Sequence, residues 1–190
     1  MGWSSGGNAM TRTTRLLMVG VMTMGLMAGA RPAVAAGVDA PVNPRVRSSN
    51  PSIAMVIKQA IELSKAFRSL VETISASDGT VYVEKGQCGR AVRTCLVAVT
   101  LAGANRNLWV KVDTRLRDLD LMGLIGHELQ HAVEVLSDRT VTNNVAMFFF
   151  YQRSGRPHPK HFAFETDAAI QAGEAVRNEI LKYRPPTETR

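Results

Sequence analysis

The chain has 190 residues and a formal net charge of +7. That length is a soft prior for a single domain. The basic residues are scattered rather than arranged in a stripe with interleaved aromatics, so they read as a solvated surface and argue against a nucleic-acid partner.

Residues 1–36 read as an export signal. Arg12 and Arg15 precede Leu16 to Ala30, an apolar run of 15 residues, and Ala33-Val34-Ala35 supplies small residues for cleavage after Ala35 or Ala36. A membrane-spanning helix needs roughly 20 apolar residues, so the run is short for an anchor. Losing residues 1–36 removes Arg12, Arg15 and Arg31 and no acid, which takes the net charge from +7 to +4. The expected location is periplasmic or extracellular, with no membrane association after cleavage.

Residues 37–50, rich in Pro, Ser and Arg, read as a flexible linker. Asn50-Pro51 is a helix start signal, and apolar residues from Ile53 to Ile74 follow at helical spacing. One helix is expected over residues 51–75. Three β-type segments come next, at Thr80 to Val83, Thr94 to Leu101 and Leu108 to Val112, with a turn at Ala102 to Asn105. A small antiparallel or mixed sheet accommodates them. Cys88 and Cys95 form an even pair, which in an exported chain suggests a disulfide across a hairpin tip.

Helical spacing returns at 119–136, 141–152 and 162–183. Residues 184–190 read as a disordered tail. The fold class is therefore α+β, one domain over residues 51–183, with an N-terminal helix, a small sheet and three C-terminal helices. Phe148 to Phe150 on the second of these three helices read as core rather than as a substrate pocket.

The first of the three carries His127-Glu128-Leu129-Gln130-His131. Residues i and i+4 share one helix face, so the two imidazoles can hold one metal ion. Glu128 is rotated by about 100° from His127 and can reach a water there without being a ligand. A bland reading stands beside this one: two histidines and a solvated carboxylate on an ordinary helix. A catalytic zinc needs a third protein ligand. Glu134, His158, His161, Glu165 and Asp167 are the candidates. Glu134 lies about two turns along the helix from His127, too far to share one ion with both histidines, and reads as a supporting or solvated residue. Glu165 is favoured, in the apolar context Phe162-Ala163-Phe164-Glu165 at the start of the last helix.

These residues resemble the zincin metallopeptidases, and within them the glutamate-zincin branch. The resemblance covers roughly residues 94–182 and is strongest over 121–136 and 162–173. It implies a zincin-like minimal catalytic core. By that likeness His127, His131 and Glu165 hold one Zn2+ ion and Glu128 is the general base. The substrate would be a peptide or protein, bound extended along a strand between 94 and 112. Tyr151, His158 and His161 are candidate stabilisers of the oxyanion. Glu134 and Ser137 stand where the metzincin branch has Gly and His, so that branch does not fit. Ala169 stands where many glutamate-zincins carry an aspartate that orients a ligating histidine, which leaves that support unassigned. The competing class is a zinc-binding or protein-interaction module of the cell envelope that has no turnover.

Overall fold

The computed structural model describes residues 44–89, 92–157 and 164–183. The expected signal over 1–36, the tail over 184–190, and His158 and His161 lie outside those residues. The class is α+β, with five helices and a small mixed sheet among the described residues.

The first element departs from expectation. Val46–Arg47, inside the stretch read as linker, is a strand, β1. Ser49 binds the Glu84 carboxylate through both its amide and its hydroxyl, which fixes the approach to the first helix. Helix α1 then spans Pro51–Leu63, capped by Asn50, whose Oδ1 accepts from the amides of Ser52 and Ile53. The single helix expected over 51–75 is in fact two. Ser64 is extended, and its Oγ accepts from the Phe67 amide to start α2, Lys65–Ser75. The same hydroxyl donates to Glu179, which also accepts from the Ala66 amide. A fully buried serine with a tertiary partner overrides helical spacing that continues on both sides of it.

The main sheet comprises β1, β2 (Gly79–Lys85), β3 (Thr94–Ala102) and β4 (Asn105–Val112), in the order β1-β2-β4-β3. The pairs β1–β2 and β2–β4 are parallel, and only β3–β4 is antiparallel. The sheet is thus mixed. Its one tight hairpin turns at Gly103, whose φ of 63° lies in the left-handed region that glycine adopts without strain. Val81, Val83, Val99, Leu108, Val110 and Val112 are buried and form the sheet's share of the core.

Cys88 and Cys95 are bonded, as expected, but not across a hairpin. Strand β4 lies between β2 and β3, so β2 and β3 are not hairpin partners. The Gly86 amide donates to Val112 O and the Asp113 amide to Arg93 O, at 3.0 and 2.9 Å. The bridge ties Cys88, just beyond β2, to the start of β3.

Helix α3 spans Asp118–Ser137 and crosses the core, packed on α5, α2, α1 and the sheet. Helix α4 is Asn144–Ser154, capped by Asn143; Val141, expected to lie in this helix, is instead a buried loop residue before it. Two-residue strands β5 (Arg156–Pro157) and β6 (Phe164–Glu165) pair, and α5 runs Asp167–Tyr183. Glu165 therefore sits on a strand before the last helix, not within it. Among the described residues no helix is long and apolar enough to cross a membrane.

Two features hold α3 in place. Glycines bring α5 against it: a Cβ on Gly126 would lie 2.8 Å from Val176 Cγ2, and one on Gly173 would lie 3.0 Å from Gly123 O and 3.1 Å from His127 Cβ. Then Arg106 of β4, 1% exposed, closes its C-terminal end. The guanidinium grips both oxygens of Asp78 and donates to the carbonyls of Val135, Leu136, Asp138 and Val141. Terminal helix carbonyls lack intrahelical partners, and a rigid five-donor fork can satisfy several at once.

The bridge supports a stability prediction. Cys88 and Cys95 are seven positions apart. Replacing both by serine should cost about 2 to 3 kcal/mol, the loop-closure entropy returned to the unfolded chain. Urea unfolding of the double variant checks this; an unchanged midpoint would show that the bridge does not constrain the unfolded state.

Candidate metal centre

Helix α3 delivers His127 and His131 from one face, and β6 delivers Glu165 opposite them. One ligand atom from each residue lies within 4.8 Å of the others, and together the three could hold a metal ion. His127 Nε2 and Glu165 Oε2 are 3.1 Å apart. Donors on one zinc at about 2.0–2.1 Å are separated by roughly 3.4 Å in a tetrahedron, so small side-chain rotations suffice to close the set. The chemistry fits as well, since two imidazoles and a carboxylate are ordinary zinc donors. The two rings meet edge to face with centroids 4.8 Å apart.

The support for His131 comes from its own helix. Glu134 Oε2 lies 3.0 Å from His131 Nδ1, which leaves Nε2 for an ion. Glu134 Oε1 accepts from the Thr166 hydroxyl at 2.6 Å. That hydroxyl also accepts from the Ala169 amide at 3.1 Å and so starts α5. One threonine thus fixes the carboxylate behind His131, and its neighbour in sequence is Glu165. Ala169 is fully buried and takes part only through its backbone. Glu134 fills the supporting role left open between it and solvent exposure.

Glu128 is 4% exposed, and its Oε1 accepts from the Thr94 hydroxyl at 2.9 Å. Tyr151 is buried and donates its hydroxyl to the His131 carbonyl at 2.8 Å. Its ring also meets that of His131 edge to face. Tyr151, one of the three candidate oxyanion stabilisers, is therefore engaged with the backbone of a candidate ligand residue.

Electrostatics follow from this crowding. Burial opposes a charged His127, but the Glu165 carboxylate and the charges of Glu128 and Glu134 outweigh it and hold the imidazole above its ordinary value. Burial also works against an ionised Glu134, yet the bonds from His131 and Thr166 keep its carboxyl below the usual range. Burial, with the negative charge of Glu134 and Glu128, pushes the Tyr151 phenol up, so it stays a neutral donor.

Other candidates are elsewhere. Asp167 is exposed and pairs with Arg156. Phe148 and Phe149, expected in the core, are 51% and 49% exposed, while Phe150 packs against the core. The Phe148 ring lies 5.6 Å from that of Phe164, the residue before Glu165. Thr94 and Thr166 were not singled out by the sequence reading. Thr94 is 34 positions from Glu128 and only the sheet brings them together. A threonine capping α5 directly after a ligand candidate was the one available signal for Thr166.

Comparison with protein-family models, with curated proteins and with solved structures finds no match.

The arrangement ranks the residues of the group by their expected effect on metal-ion affinity. Alanine at His127, His131 or Glu165 should abolish binding of a divalent metal ion at this group. Glu134→Gln should weaken it by roughly 10- to 100-fold through the lost orientation of His131. Competition against a chromophoric chelator measures both. Equal affinity in Glu134→Gln and wild type would remove Glu134 from the site.

Proposed function

We propose that the chain is an exported zinc-dependent metallopeptidase of the glutamate-zincin type, with His127, His131 and Glu165 as ligands and Glu128 as general base. The observation that carries this is the convergence of three ligand atoms within 4.8 Å, beside a buried carboxylate that belongs to none of them. A purely structural site has no use for that fourth residue, and structural zinc is ordinarily held by four protein ligands. The disulfide supports export, since such bonds persist in oxidising compartments.

A zinc ion bound there supplies Lewis acidity toward a carbonyl and a water. Glu128 takes the proton of the attacking water and passes it to the departing amine nitrogen as the peptide bond breaks. Glu134 holds His131 in one tautomer, with Nδ1 as the donor. Tyr151 fixes the backbone of the same residue.

The expected substrate strand narrows to one edge. Of the two strands in that range, β4 is interior and β3 is an edge strand of the sheet. The Val99 amide is already bound by Asn144 Oδ1 at 2.9 Å, where α4 starts. An extended peptide adding to the sheet would therefore pair with β3 before Val99, the end that carries Thr94.

The decisive comparison is the zinc-loaded protein against Glu128→Gln on a diverse peptide library. Wild type should cleave, and a chelator should stop it. Glu128→Gln should bind zinc with similar affinity and lose about 100- to 10,000-fold in turnover. Zinc binding without cleavage of any peptide would favour the non-catalytic envelope module.

A further inference from the structure

We propose that Thr94 is the positioning residue for the general base: its hydroxyl holds one oxygen of the Glu128 carboxylate and leaves the other as the one that takes the proton. This rests on the peptidase reading of the site. The contact itself is 2.9 Å, between residues 6% and 4% exposed.

The need for such a group follows from the side chain. The last torsion of glutamate turns a planar carboxylate on a single bond and is broad rather than three-welled. A general base left to that torsion presents its oxygens over a wide range of angles. Proton transfer requires a fixed line between donor and acceptor, within hydrogen-bond reach. One charge-assisted hydrogen bond from a rigid donor removes the freedom.

Thr94 is such a donor. Threonine is branched at Cβ and has few χ1 states. Its strand position is held on both sides: Thr94 pairs with Val112, the preceding Arg93 carbonyl accepts from the Asp113 amide, and the following Cys95 is bonded to Cys88. The hydroxyl thus sits on an anchored point of the sheet edge that the substrate is expected to join. Glu134 and Thr166 form the same pairing behind His131, a carboxylate oxygen on α3 fixed by a threonine from outside the helix. The site uses the device twice, once to aim a ligand and once to aim the base.

The test uses the full mature chain, oxidised and loaded with zinc. Thr94→Val keeps shape and removes the hydroxyl. It should lower kcat by about 10- to 100-fold, the scale for a misplaced reacting group, with KM changed less than about twofold. Thr94→Ser should recover most of kcat. Zinc affinity should stay within about threefold in both, since neither touches a ligand. A second readout needs no turnover. A peptide hydroxamate gives up a proton to the general base on binding, so its affinity should fall about tenfold in Thr94→Val. In a Glu128→Gln background the same substitution should change nothing further, because the paired carboxylate is gone. If the valine variant does not fold, Thr94→Ala serves in both measurements. The proposal is overturned if the hydroxyl-free variant keeps wild-type kcat and hydroxamate affinity, if serine fails to restore them in a folded protein, or if the two substitutions are additive. Absence of peptide cleavage by wild type would sink the peptidase reading alone; the hydroxamate cycle would still decide the role of Thr94.

Discussion

Two polar side chains of α3, Glu128 and His131, are almost fully buried on a helix whose other inward residues are apolar. Groups of that kind are stable only when hydrogen-bonded, because an unpaired one forfeits its hydration without return. The surroundings of the site answer that requirement. Thr94 reaches Glu128 from the sheet, and Glu134 meets His131 from one turn further along. Thr166 then satisfies Glu134 from the start of α5. Each added partner is itself tied to an element boundary. The polar network therefore locks β3, α3 and α5 to one another at the point where the ligand atoms converge.

Packing sets the spacing in which that network operates. Helices normally keep about 8–10 Å between axes, less where glycine faces glycine. Gly123 and Gly126 on α3, and Gly173 on α5, remove the side chains that would separate the two helices. Close approach at His127 is what lets a residue just ahead of α5 come within 3.1 Å of its ring. Small residues on one pair of faces thus do for Glu165 what hydrogen bonds do for Glu128.

Much of this was legible in the chain. The i, i+4 histidines declare their shared face without tertiary knowledge, and the apolar periodicity of α3 located it to within a residue at either end. Glu165 was favoured by its chemistry, and the fold brings it to the two histidines, although its backbone is β rather than helical. What escaped were the features created by contact between distant segments. Ser64 breaks a helix because Glu179 binds it, 115 positions away. The parallel pairing of β2 with β4 has no local signature, and so the Cys88–Cys95 pair read as a bridge across a hairpin. Thr94 and Arg106 are ordinary strand residues until the sheet closes on α3. The exposed Phe148 and Phe149 failed for another reason: aromatic residues are usually buried, and a run of three on one helix cannot all face inward.

The Arg106 clamp has a further consequence for motion. Helix ends commonly fray, opening and closing at little free-energy cost independently of the rest of the fold. The last turn of α3 is not free to do so. Its carbonyls at Val135 and Leu136 share one guanidinium with Asp78 before β2 and with the loop at Asp138 and Val141. Releasing that turn strands a buried charge, and releasing the charge loosens the sheet as well. His131 and Glu134 sit within about one turn of this point, so fraying at the end of α3 is tied to the sheet.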